Sequence, residues 1–298
     1  MKVKHSISKI GMFFVLSCCV TLANAADTLT HIKDTQTITI AHREASSPFS
    51  YLSENKKPIG YSIDICLRIV DAIKKELKLP QLKVNYLLVT GSTRIPSIVE
   101  GKADLECGST TNNAERRKQV AFTIPHFFAT SRMLVRADSG INNWTDLKEK
   151  TVVTTKGTTS VKLLGDRDKV RSLGLKLVEA NDHNNSFAMV ESGQAAAFPM
   201  DDVLLYGLRA NSKDPSKFVI VGDGLSTEPY AIMLRKDDPA FKAFVDREIA
   251  NLMADGDINK LYTKWFQQPV PPKSTNLNMP MGFLLRDTIR FPSDKVAD

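Results

Sequence analysis

The chain has 298 residues, 42% hydrophobic and 24% charged, with 15 glycines and 14 prolines, which excludes a collagenous, low-complexity or wholly disordered protein. Single cores stop growing near about 250–300 residues, so a chain of this length is expected to form two lobes. The formal net charge of +7 is scattered through mixed-sign runs such as Glu115-Arg116-Arg117-Lys118 and Arg235-Lys236-Asp237-Asp238, so no basic stripe points to nucleic acid.

Residues 1–25 read as a secretory signal. Lys2, Lys4 and Lys9 form a basic start, Ile10 to Leu22 is mostly apolar, and Ala23-Asn24-Ala25 supplies small residues around a cut before Ala26. The apolar run is too short to span a membrane and is interrupted by Ser17 and Thr21; no other stretch reaches that length. Losing this segment, which holds no Asp or Glu, takes the formal charge from +7 to +4. Lipid attachment at Cys18 or Cys19 is the rival fate, disfavoured because a cysteine stands where lipoprotein signals carry Gly or Ala. Cys66 and Cys107 remain; an oxidising compartment allows them to bridge, and burial as two separate thiols is the other reading. His5, His31, His42, His126 and His183 show no ligand spacing with Cys or carboxylates, so no metal is expected.

From Thr37 the hydrophobic pattern switches repeatedly between strand and helix. Thr37 to Ala41 predicts a strand. Ile63, Cys66, Leu67, Val70, Ile73 and Leu77 predict a helix ending before Pro80. A strand over Leu82 to Val89, a short helix up to Gly101 and a strand over Ala103 to Cys107 follow. This βαβαβ order implies an α/β lobe with a mostly parallel sheet. The rhythm restarts after about residue 140: strand Thr151 to Thr155, helix from Thr159, strand Leu175 to Val178, helix Ser186 to Ser192, strand Ala195 to Met200, helix Asp201 to Ala210, strand Phe218 to Val221. Helices over Ala240 to Ala254 and Asp257 to Phe266 close the pattern. If they pack on the first lobe, the chain crosses between lobes twice, and the extended stretches Thr130 to Arg136 and Tyr230 to Arg235 form a two-strand hinge above a cleft. Pro199 inside a strand suggests a sheet edge or an early strand end. The tail after Gln268, with Pro269, Pro271 and Pro272, reads as a surface-running extension.

In open α/β sheets, ligands sit beyond the carboxyl ends of the strands. Here those positions carry Arg43, then Thr90-Gly91-Ser92-Thr93-Arg94, then Gly108-Ser109-Thr110-Thr111 leading to Arg116. In the second lobe they carry Lys156-Gly157-Thr158-Thr159, Asp182-His183 and Asp201-Asp202. An arginine fork matches a carboxylate bidentately, and three of them set among hydroxyls instead of acidic partners ask for an anion. Gly157-Thr158-Thr159 opens a helix, where free N–H groups favour negative charge. It lacks the glycine spacing of nucleotide-binding loops, so no cofactor is expected. Asp201 is either a helix N-cap or the one acid facing this cationic edge, suited to an ammonium. His183 is either a surface imidazole or a donor to a carboxylate.

Ala41-His42-Arg43-Glu44, Gly60-Tyr61-Ser62-Ile63-Asp64, Arg94-Ile95-Pro96, Glu106-Cys107-Gly108-Ser109-Thr110-Thr111-Asn112-Asn113, Glu115-Arg116, Gly157-Thr158-Thr159-Ser160, Asp182-His183, Met200-Asp201-Asp202 and Lys264-Trp265-Phe266 resemble the glutamate/aspartate-binding branch of the polar amino-acid solute-binding proteins, family 3, of ABC importers. The resemblance runs from about Thr35 to Pro272. It implies a two-lobe, type II venus-flytrap fold with a two-strand hinge: signal 1–25, first lobe 26–131 and 232–272, second lobe 132–231, extension 273–298. It implies a periplasmic monomer, not an enzyme, that captures L-glutamate or L-aspartate and delivers it to an inner-membrane ABC permease. Arg116, Ser109, Thr111 and the Thr158-Thr159 turn would then take the α-carboxylate, Asp201 the ammonium, and Arg43, Arg94 and His183 the side-chain carboxylate. Relatives carry a cysteine where Ile232 stands, so a bridge from Cys107 to that position is impossible. The rival reading is an exported enzyme on the same scaffold, such as a cyclic-acid dehydratase, which needs a proton-transferring group beside its substrate. A sensing ectodomain would need a membrane span after Trp265-Phe266, and residues 269–298 contain none.

Overall fold

The structure, a computed structural model, describes residues 27–296; the signal expected over 1–25 lies outside the described residues. The chain forms two α/β lobes, each built on a five-stranded path. The first sheet runs in the order Lys83–Leu88, Thr37–His42, Leu105–Glu106, Met233–Arg235, Val120–Phe122. The second runs Lys176–Ala180, Thr151–Thr155, Ala197–Asp201, Phe127–Arg136, Phe218–Val221. In each, the first three strands are parallel and a fourth, arriving from the crossing segment, is antiparallel. The repeated order explains why the βαβ rhythm reads twice in the sequence. Among the described residues, no helix is long and apolar enough to cross a membrane.

The lobes are joined where Phe127–Thr130 pairs antiparallel with Thr227–Tyr230. This is about three residues upstream of both predicted hinge stretches. The remainder of each stretch is taken into a sheet: Ser131–Arg136 pairs within the second lobe and Met233–Arg235 within the first. Aromatic rings lock the first-lobe end of the hinge, with Phe49 edge-on to Phe127 at 4.8 Å and to Tyr230 at 5.0 Å, and Phe127 stacked on Phe266 at 5.0 Å. The helices Pro239–Ala254 and Asp257–Phe266 return to pack on Tyr61–Leu77 of the first lobe.

Three details differ from expectation. Pro199 sits in a central strand: its carbonyl accepts the Thr154 hydroxyl at 3.2 Å, so its N–H-less edge faces the neighbour whose ladder pairs only at Ala197. The strand predicted over Ala103 to Cys107 shortens to Leu105–Glu106, because the following residues turn into the cleft. The tail is not merely surface-running. It forms a helix, Phe283–Arg290, whose Leu285 is 2% exposed and which packs on the hinge strand Phe127–Arg136 and on Pro239–Ala254. Cys66 and Cys107 are joined as a disulfide, the reading that the sequence left open, tying the helix Tyr61–Leu77 to the turn that carries Ser109 and Thr111.

Candidate functional site

Each predicted arginine lies beyond the carboxyl end of a first-lobe strand: Arg43 directly after Thr37–His42, Arg94 at the end of the turn that follows Lys83–Leu88, and Arg116 past the longer segment that follows Leu105–Glu106. Arg43 follows Thr37–His42, and its N–H donates to Ser50 Oγ at 2.9 Å. Arg94 opens the helix Arg94–Val99 after a Thr90–Thr93 turn closed by Thr90 N–H to Thr93 Oγ1 at 2.9 Å. Arg116 lies in the short helix Ala114–Arg117, capped by Asn113.

All three guanidiniums are buried in one place, Arg43 and Arg94 at 2% exposure and Arg116 at 7%. Arg94 Nη2 and Arg116 Nη2 both donate at 3.3 Å to the carbonyl of Gly157 in the second lobe. Arg94 Nη1 also donates to Thr110 Oγ1 at 2.7 Å and Arg116 Nη1 to the Thr111 carbonyl at 2.9 Å. Burial, then repulsion from Arg94, pushes Arg43 down to about 10 and Arg116 down to about 9. Crowding three buried cations is unfavourable unless negative charge joins them.

The second lobe supplies the other wall. His183 begins the helix His183–Glu191 with Asp182 as its cap, and its Nδ1 lies 2.8 Å from Thr155 Oγ1. Burial, then the Arg43 and Arg94 charges, holds its imidazole well below the ordinary range, so it is neutral. Asp201 makes no capping bond to the helix that follows; its Oδ2 accepts the Tyr230 hydroxyl, and its Oδ1 is buried without a partner among the described residues. Burial, then the nearby Glu228 charge, pushes Asp201 up to about 8. Of the two readings open in the sequence, geometry therefore separates Asp201 from capping. Ser109, Thr111 and Thr159 also lie at the inter-lobe cleft. Thr158 sits at its mouth in a groove of about 550 Å³, with its hydroxyl donating to the Thr155 carbonyl at 2.7 Å.

The lobes are closed on one another. A Cβ on Gly91 would stand 2.4 Å from the Lys156 carbonyl oxygen, and one on Gly157 2.5 Å from the Gly91 backbone, so two strand-end turns touch main chain to main chain. Gly157 also has φ +73°, a conformation natural only to glycine.

Two further acids stand at the site: Glu106, which the sequence places near the cleft without a ligand role, and Glu228, which the sequence reading missed. Glu106 Oε2 accepts the Thr110 hydroxyl at 2.7 Å, and its charge acts on Arg43, Arg94 and Arg116. Glu228, in the returning hinge strand, accepts Thr111 Oγ1 at 2.8 Å and Thr159 Oγ1 at 3.0 Å. The available signal was an acid inside the otherwise weakly charged Ser226-Thr227-Glu228-Pro229-Tyr230 run. Several buried atoms lack partners among the described residues: Arg43 Nη1, Arg94 Nε, Asp201 Oδ1 and Glu106 Oε1. Buried polar atoms are ordinarily satisfied, so this cleft is built to complete its hydrogen bonds with a small ionic guest. No group of three or more metal-ligating side chains occurs among the described residues.

Comparison with known proteins gives the same direction. Residues 38–268 match the bacterial extracellular solute-binding proteins, family 3. The chain is 50% identical over 285 residues to the L-glutamate/L-aspartate-binding protein of Pseudomonas aeruginosa, covering 95% of this chain and 94% of that one. It is 43% identical over 274 residues to the glutamate/aspartate import solute-binding protein of Escherichia coli, covering 92% and 91%. Among solved structures, the ancestral amino acid-binding protein AncCDT-1, a precursor of cyclohexadienyl dehydratase, superimposes with a TM-score of 0.67 at 29% identity, covering 80% of this chain and 99% of that one.

Proposed function

The chain belongs to the bacterial extracellular solute-binding proteins, family 3, and we propose that it captures L-glutamate or L-aspartate in the periplasm for delivery to an inner-membrane ABC permease. The observation that carries this reading is the convergence of Arg43, Arg94 and Arg116 inside a cleft shut between two lobes, where three acids also gather: Glu106 and Glu228, bonded to threonine hydroxyls, and Asp201, whose Oδ1 is buried without a partner among the described residues. A guest with two carboxylates and one ammonium answers that pattern. Arg116, with Ser109 and the N-terminus of the helix Thr159–Arg171, holds the α-carboxylate. Arg43 and Arg94 clamp the distal carboxylate, with the neutral His183 ring beside them. Asp201 Oδ1 takes the ammonium.

Ligand docks first on the arginines of the first lobe, and hinge rotation then brings Gly157, His183 and Asp201 over it, the motion general to periplasmic binding proteins. Closure excludes water and strengthens every charged hydrogen bond. Micromolar affinity corresponds to about −8 kcal/mol, which a few desolvated bidentate pairs supply after ordering costs.

The relatives are solute-binding proteins, and binding without chemistry is the reading proposed here too. The enzyme alternative needs a proton-transferring group beside its substrate: Glu44 is exposed, and Glu106, His183 and Asp201 remain at the cleft as the groups whose chemistry a turnover assay interrogates. Calorimetric titration with glutamate, aspartate, glutamine and arginine tests the assignment. Binding of the two acidic amino acids, recovered chemically unchanged after prolonged incubation, is expected; preference for arginine, no binding, or turnover of the ligand overturns it.

A further inference from the structure

Glu228 is an expensive residue for its position. It stands in the returning hinge strand Thr227–Tyr230 at 5% exposure, and among the described residues its three side-chain hydrogen bonds come from hydroxyls. Its Oε1 accepts Ser226 Oγ at 2.5 Å. Its Oε2 accepts two hydroxyls at once, Thr111 Oγ1 from the first lobe at 2.8 Å and Thr159 Oγ1 from the second at 3.0 Å. One carboxylate oxygen thus joins the two lobes at the hinge side of the cleft.

The chemical consequence lies in the hydroxyl protons. A threonine hydroxyl has one proton and two lone pairs. With both protons held by Glu228, Thr111 and Thr159 offer a ligand lone pairs only. They cannot donate to a carboxylate, and they can accept from an ammonium. Alternate residues of a strand share a face, and Tyr230, two residues on, holds Asp201 Oδ2 while Asp201 Oδ1 stays buried and unpartnered. The hinge strand therefore organises one end of the cleft as a set of acceptors with negative charge behind them. The Thr111 backbone is pinned to the same strand by its bridge to Tyr230 and by Asn112 N–H to the Pro229 carbonyl at 2.8 Å.

We propose that Glu228 is a positioning and specificity residue: by taking the hydroxyl protons of Thr111 and Thr159 it turns both into acceptors, so that this end of the closed cleft selects an ammonium and rejects a dicarboxylate that lacks one. This moves the Thr111 hydroxyl from the α-carboxylate, where the family resemblance assigns it, to the amino group beside it. The proposal rests on the acidic amino-acid reading of the site.

The test is calorimetry on the full chain with L-glutamate and with glutarate, a dicarboxylate of the same length without the amine. Glu228→Leu fills most of the same space and accepts no hydroxyl proton, so Thr111 and Thr159 regain protons to donate to a carboxylate. It is expected to weaken glutamate at least tenfold and to change glutarate less than threefold. Equal weakening of both ligands, as a merely structural role would give, or no weakening of either, overturns the proposal. Thr159→Val removes the second-lobe arm without touching the buried acid; should the Leu variant fail to melt cooperatively, the same selective loss is expected of Thr159→Val, and an equal loss overturns the proposal. A wild-type chain that binds neither glutamate nor aspartate overturns the functional reading and this proposal together, an outcome distinct from a wild type that binds while the glutamate-to-glutarate ratio stays unmoved.

Discussion

The contact of Gly91 with the Lys156-Gly157 turn makes closure itself testable without touching a ligand-binding side chain. In Gly91→Ala the added carbon would stand 2.4 Å from the Lys156 carbonyl oxygen, where carbon and oxygen tolerate about 3.3 Å, so the lobes must part by about 1 Å. Backbone meets backbone there, and no side chain can swing aside. Arg94 and Arg116 reach the Gly157 carbonyl at 3.3 Å, and a further ångström ends both bonds. Charged hydrogen bonds contribute about 1.5–3 kcal/mol each, so the closed state loses about 3 kcal/mol, a factor of roughly 150 in glutamate affinity. Gly91 does not have a positive φ, so alanine adds no backbone strain and the melting temperature should hold. Calorimetry reads the affinity, and small-angle scattering reads the failure to compact with glutamate. Affinity within threefold of wild type, with full compaction, would refute the reasoning.

Three further outcomes follow from the packing and the charges. Asp201, ordinarily near 3.8, reaches about 8 when buried in the closed cleft without a cationic partner; closing at pH 7.5 on glutarate should therefore take up more than half a proton, and closing on glutamate, whose ammonium keeps the acid ionised, should not. Uptake on binding means that glutarate affinity falls as pH rises toward 8, and calorimetry in buffers of different ionisation enthalpy measures the proton count. Removing the Cys66–Cys107 bridge with Cys66→Ala and Cys107→Ala frees a segment with a sequence separation of 41, which chain entropy values at about 4 kcal/mol, so the melting temperature should drop by roughly 10 °C while glutamate still binds. Leu285→Ala should destabilise by about 2–3 kcal/mol in denaturant titration, whereas Leu284→Ala, 45% exposed, should stay within about 0.5 kcal/mol.

The fold was legible because α/β lobes write their order into the hydrophobic period: Thr151–Thr155 and Asp257–Phe266 appear at the predicted residues. The arginines were legible because the loops beyond strand ends are where such folds place ligands; Glu44 and Glu115 stand next to Arg43 and Arg116 in the sequence, but both are exposed and Glu115 pairs with Lys118, so neither takes a buried guanidinium. Other features are set by long-range contacts that local pattern does not encode. The hinge register shifted because a continuous strand such as Phe127–Arg136 carries no mark where it leaves one partner for another. The helix Phe283–Arg290 was hidden behind prolines and depends on a hinge surface assembled from distant residues. Glu228 escaped for the same reason: its partners are 117 and 69 residues away, and only folding reveals that its bonds come from threonines on opposite lobes.

The account stands most directly on where the distal carboxylate of a bound acidic amino acid comes to rest. A crystal structure of the glutamate complex should show that group within about 2.7–2.9 Å of guanidinium nitrogens of both Arg43 and Arg94, with the ammonium against Asp201 Oδ1. A complex in which the distal carboxylate meets neither arginine, or in which the guanidiniums turn out to solvent, would contradict it.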